Sequence, residues 1–122
     1  MSDEPSLKRV VWMGSSRRDL RALPDAVQDR VGYALYMAQQ GGKHQYAKPL
    51  KGYGGAGVVE VVTDYRGDTF WAVYTVRFAD AVYVLHVFQK KSKRGRKTPQ
   101  QDERLIEQRL REAERIAKGT AR

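Results

Sequence analysis

The chain has 122 residues, enough for one domain with a packed core and too few for two, and 41% hydrophobic content rules out a disordered polymer. Cysteine is absent, which excludes a disulfide framework and any thiolate ligand or nucleophile; no apolar run reaches membrane-span length and MSDEPSLKR holds no hydrophobic signal region, so a cytoplasmic protein is expected. Of the net charge of +9, +6 falls on residues 89–97, which carry six basic side chains and no acid: the pattern of a polyanion-binding surface on a near-neutral background.

Residues 7–13 (LKRVVWM) read as a short strand ended by Gly14, and Ser16 is placed to cap a brief helix with Asp19 three residues on. Pro24 opens a second helix, whose apolar stripe is Val27, Val31, Ala34, Leu35 and Ala38 and which Gly41–Gly42 stops. Residues 43–57 (KHQYAKPLKGYGGAG) read as loop throughout, with His44 exposed. Three strands follow, over 58–65, 69–78 and 81–91, with breaks short enough to demand antiparallel hairpins. Simple alternation in the last strand puts Val82, Val84, His86, Phe88 and Lys90 on one face. Thr98–Pro99 opens the final helix, whose buried stripe is Ile106, Leu110, Ala113 and Ala117 and whose end is Gly119. Glu107–Arg111 and Glu114–Lys118 are its i,i+4 pairs. The order β-α-α-β-β-β-α predicts a single α+β domain with its core at about 7–118. Its antiparallel sheet is expected to carry the helices on one face and leave the other free.

The candidate chemistry is narrow. Two histidines 42 positions apart and scattered carboxylates do not match metal-ligand spacing, so no metal is expected. GYGGAG leads into a strand and lacks a following Gly-Lys-Ser/Thr, which argues against a phosphate loop. His86 is a candidate general acid or base, or else a strand histidine bonded to a neighbour. Positive charge, a histidine and the rings of Tyr65, Trp71, Tyr74 and Tyr83 suffice for metal-free RNA cleavage, in which the RNA's own 2′-OH is the nucleophile.

The Lys-Pro-Leu-Lys-Gly loop (48–52), an aromatic-rich hairpin, LHVFQKKSKRGRKTP (85–99) and a charged C-terminal helix resemble one toxin lineage. It is the HigB-like, phage-derived branch of the RelE/ParE superfamily of type II toxin–antitoxin pairs, and the likeness spans about residues 8–118. The resemblance implies a RelE/ParE-like fold and a cofactor-free, metal-independent endoribonuclease that cuts mRNA on the ribosome and so inhibits translation. It implies catalytic roles for Lys90 and Lys91 at the strand end, with Lys48 and Lys51 flanking from the loop. Related toxins often begin the third strand with an aromatic–arginine pair; here it is Phe70–Trp71, which leaves Arg66 or Arg77 as the stand-in. His86 is the candidate for proton transfer. Lys93, Arg94, Arg96, Lys97 and Trp71 are the candidate contacts to mRNA or rRNA. The implied partner is an antitoxin of helix-turn-helix type. Two alternatives stand beside this reading: a ParE-like inhibitor of DNA gyrase, which the missing arginine favours, and a plain RNA-binding module.

Overall fold

The computed structural model describes residues 7–42, 44–53, 57–90 and 99–120. In chain order the elements are β1 (Arg9–Trp12), α1 (Ser16–Arg21), α2 (Asp25–Gln39), β2 (Ala47–Pro49), β3 (Val58–Tyr65), β4 (Asp68–Thr75), β5 (Ala81–Lys90) and α3 (Gln100–Thr120). They form an α+β fold on a five-stranded sheet of order β1-β5-β4-β3-β2. Among the described residues no helix is long and apolar enough to cross a membrane.

The expected element order holds, with one strand added. β2, three residues inside the stretch read as loop, pairs antiparallel with β3, Lys48 opposite Glu60. It is too short for an alternation signal, and Pro49 is tolerated because the strand lies on an edge. The sheet is mixed rather than wholly antiparallel: β3, β4 and β5 form the expected meander, whereas β1 runs parallel to β5, Trp12 beside Val84. A parallel pair needs a long crossover, and everything from α1 to β4 supplies it.

The helices occupy both faces of the sheet, not one. On the first, Val27, Val31, Leu35 and Ala38 of α2 pack on Val61, Phe70, Ala72, Tyr74, Val82 and Val84. On the second, Ile106, Leu110 and Ala113 of α3 pack on Val73, Ala81, Tyr83 and Leu85. Both helical stripes are buried as their spacing requires. Face assignment fails at one place: the β4–β5 register shifts at Val73/Tyr74, with Tyr74 opposite Val84 but Val73 opposite His86. The extra residue, Leu85, is a β-bulge, so Leu85 and His86 in succession turn to the α3 side. Val82 and Val84 therefore face α2, while His86 and Phe88 face α3, which corrects the single-face expectation.

Several local expectations also shift. Ser15, not Ser16, is the N-cap of α1; its hydroxyl donates to Asp19 (2.7 Å), while the buried Ser16 hydroxyl donates to the Val84 carbonyl. Gly119 lies inside α3, which continues to Thr120. His44 is buried, its Nδ1 accepting the Tyr46 N–H (3.0 Å) and its ring against Tyr33. Arg111 and Lys118 reach Glu107 and Glu114 at 3.1 Å, as the spacing predicts. Thr98 lies outside the described residues.

Candidate nucleic-acid interface

α3 covers β1, β5 and the Val58–Val73 end of β3 and β4 on the second sheet face; among the described residues no helix lies over β2 and the far end of β3. Alternation along β3 turns Glu60, Val62 and Asp64 to this face, and pairing brings Lys48 beside Glu60 and Trp71 beside Val62. A hollow of about 270 Å³ results, lined by Arg30, Tyr46, Lys48, Glu60, Val62, Asp64 and Trp71. At its rim the Arg30 guanidinium from α2 sits 4.5 Å from the centre of the Tyr46 ring, a cation–π contact around the β2 edge.

The β5 side of the face is a row of rings ending in a cation. His86 stacks on Phe88 (4.7 Å, 19° between planes), and Phe88 lies 5.7 Å from Trp71. Lys90 Nζ stands 5.3 Å from the Trp71 ring centre, and the residue is largely buried. The bulge is what makes this row possible, since it brings His86, Phe88 and Lys90 into phase with Trp71. Trp71 itself is 3% exposed, and its indole N–H has no hydrogen-bond partner among the described residues.

His86 is held at both nitrogens. Nε2 lies 2.6 Å from Asp102 Oδ1, and Nδ1 lies 3.3 Å from Arg109 Nη1, which also donates to the Leu85 carbonyl at 2.9 Å. Arg109 has only N–H groups to offer, so Nδ1 is the acceptor and Nε2–H donates to Asp102. This is the neutral tautomer, used to tie β5 to α3.

The other sequence candidates scatter. Lys48 is exposed on the open face, and Lys51 is exposed in the turn just beyond β2. Arg66 and Arg77 lie at opposite ends of β4, whose eight residues span roughly 25 Å. Arg66 occupies a tight turn with φ 51° and lies over Tyr65, a ring of the α2-side core. Arg77 donates to the Tyr53 carbonyl at 2.8 Å. Neither reaches the hollow's lining. Of the candidate base-stacking rings, Tyr74 and Tyr83 are wholly buried and Tyr65 packs on the α2 side; Trp71, itself 3% exposed, is the candidate ring that reaches the hollow's lining. Lys91, Lys93, Arg94, Arg96 and Lys97 lie outside the described residues.

Arg30, Tyr46, Glu60 and Asp64 were not anticipated at this site. A Tyr46-x-Lys48 alternation was the available signal, and it has meaning only once β2 is known to be a strand. Among the described residues no group of three or more histidines and carboxylates is placed to hold a metal ion.

Residues 18–111, three-quarters of the chain, match the family described as "Phage derived protein Gp49-like (DUF891)". No curated protein matches it in sequence. Among solved structures, a chain of the toxin–antitoxin complex RelBE2 from Mycobacterium tuberculosis is similar, with a TM-score of 0.44 and 23% identity; the match covers 75% of this chain and 100% of that one. The chain thus belongs to the Gp49-like phage-derived family, a family of RelE-type toxins.

Proposed function

We propose that this toxin is an endoribonuclease that cuts mRNA on the ribosome, and that the open sheet face is where it does so. The observation that carries the reading is Lys48, exposed at the hollow, and Lys90, largely buried over Trp71, placed diagonally across Trp71 and Val62 on a sheet region that no helix of the described residues covers. Their backbones are roughly 20 Å apart by strand spacing, and both long side chains can lean inward over the hollow. A phosphodiester lying in the hollow meets the exposed Lys48 ammonium and the charge of the largely buried Lys90 behind Trp71, and a splayed base meets the Tyr46 ring and the edge of Trp71.

Cleavage then needs no protein nucleophile. The RNA's 2′-oxygen attacks the adjacent phosphorus as its proton passes to water, the P–O5′ bond breaks, and water returns a proton to the departing 5′-oxygen, so the products are a 2′,3′-cyclic phosphate and a 5′-hydroxyl. Lys48 and Lys90 stabilise charge that grows on the non-bridging oxygens, a contribution of order 10²–10³ in rate for one well-placed donor. His86, engaged at both nitrogens, sets the position of Phe88 and Lys90 through β5. Lys51, Lys91 and the 92–97 segment serve the surrounding phosphates. An antitoxin of helix-turn-helix type is the partner that restrains the activity.

The test is expression in bacteria followed by primer extension on cellular mRNA. Wild type should arrest growth and leave new 5′ ends within codons, while Lys48→Ala/Lys90→Ala should do neither. Growth arrest with uncut mRNA sinks the proposal. A second reading, gyrase inhibition through a protein interface, is favoured by Trp71 where related ribonucleases carry an arginine. Induction of the DNA-damage response with intact mRNA decides for it.

A further inference from the structure

We propose a second polyanion-binding surface, separate from the open face: Arg17, Arg18 and Arg21 of α1 grip the phosphate backbone of structured RNA. With Gly14 and Ser15 they line an open hollow of about 570 Å³. All three are exposed, and none of their guanidinium groups pairs with a described acid. The one acid of the helix, Asp19, is already committed to the Ser15 hydroxyl at 2.7 Å.

Stability does not ask for this arrangement. Arg17–Arg21 and Arg18–Arg21 are like-charge neighbours at i,i+4 and i,i+3, which weakens a helix. Gly14, at φ +52°, also seats the Arg109 guanidinium, which a Cβ there would meet at 2.6 Å, while its hydrogen bonds go to Leu85 and His86 rather than into the hollow. Glycine alone allows that approach.

The lining also selects the partner class. It holds only glycine, serine and arginine, with no apolar or aromatic anchor of the kind a protein interface is built around. Planar guanidinium forks match phosphate oxygens two at a time. The surface follows β1 on one sheet edge, whereas Lys48 lies on the other edge, four strand spacings or roughly 20 Å away. RNA held here leaves the open face free. The inference deepens the ribosome-directed reading by adding an anchoring contact, and its test involves no cleavage.

The experiment is fluorescence anisotropy of the purified full chain with a 2′-O-methyl RNA hairpin, which lacks the nucleophile, across a salt series. Arg17→Gln/Arg18→Gln/Arg21→Gln should weaken binding about 10- to 100-fold and reduce the log–log salt slope by about 2–3. A charge-matched control on the outer side of α3, Arg104→Gln/Arg111→Gln/Arg115→Gln, should change affinity less than about threefold. Each single α1 substitution should lower the slope by about one, which keeps the test available if the triple variant is poorly folded. Wild-type affinity and slope in the α1 variants, or equal losses in the two triples, would overturn the proposal. A protein without ribonuclease activity can still pass, so failure of one reading is distinguishable from failure of the other.

Discussion

At the scale of single residues, the tie between His86, Asp102 and Arg109 decides what the strand histidine is for. The Nε2–H donates into a carboxylate only 17% exposed, so Asp102→Ala leaves a mostly buried donor unsatisfied. A loss of about 1–3 kcal/mol is expected in denaturant unfolding, and Asp102→Asn, which keeps an acceptor, should lose less. Gly14→Ala must displace an Arg109 guanidinium that is pinned to the Leu85 carbonyl, and must also hold a positive φ. Its cost should be about 1–3 kcal/mol, whereas Gly67→Ala, at φ 85° with open space, bears only the backbone strain. Two tyrosines set the alkaline limit. Burial pushes Tyr74 up to about 12, and burial followed by the Asp80 hydrogen bond does the same for Tyr83. Both ionise more readily unfolded, where the ordinary value is 10.0. Their stabilising contribution is therefore complete below pH 10 and is lost as pH rises from 10 to 12. Unfolding midpoints should fall across that window, and Tyr74→Phe should flatten the fall.

At the scale of elements, the helices and the meander were legible because each carries its own period. Val27-to-Ala38 and Ile106-to-Ala113 mark faces at helical spacing, and short breaks force neighbouring strands to be antiparallel. What period cannot carry is partner and side. Nothing local in RVVW says that it lies parallel to β5, because that pairing depends on the whole crossover. Nothing local says that α3 takes the face opposite α2. The bulge at Leu85 was invisible for a related reason: one inserted residue reverses every later side chain without changing composition. That reversal moves Phe88 and Lys90 onto the face with Trp71. At the site, Lys48, Trp71 and Lys90 were legible by residue type, while Arg30, Tyr46, Glu60 and Asp64 arrive through pairing and an edge strand of three residues. Deleting Leu85 removes the extra residue and leaves His86, Phe88 and Lys90 on the α3 side by plain alternation; unfolding should stay cooperative, with a loss of about 2–5 kcal/mol for the buried leucine.

At the scale of the molecule, charge and coverage divide the labour. α2 closes one sheet face and α3 part of the other, so among the described residues the hollow on the remainder is flanked by exposed Lys48 and largely buried Lys90. Two-thirds of the net charge lies in residues 89–97, next to that surface in sequence, and a second cationic group lies at the β1 edge. Association with RNA should accordingly fall steeply with salt, as expected where several phosphates are neutralised together. Cleavage at the open face is measured by a single-turnover assay, with purified toxin added to ribosomes programmed with a defined mRNA. Wild type should generate a cut in the bound codon, and Lys48→Ala/Lys90→Ala, still folded by its melting curve, should cut at least 10²-fold more slowly. An unchanged rate in that variant, or intact mRNA at saturating wild-type toxin, would contradict the account.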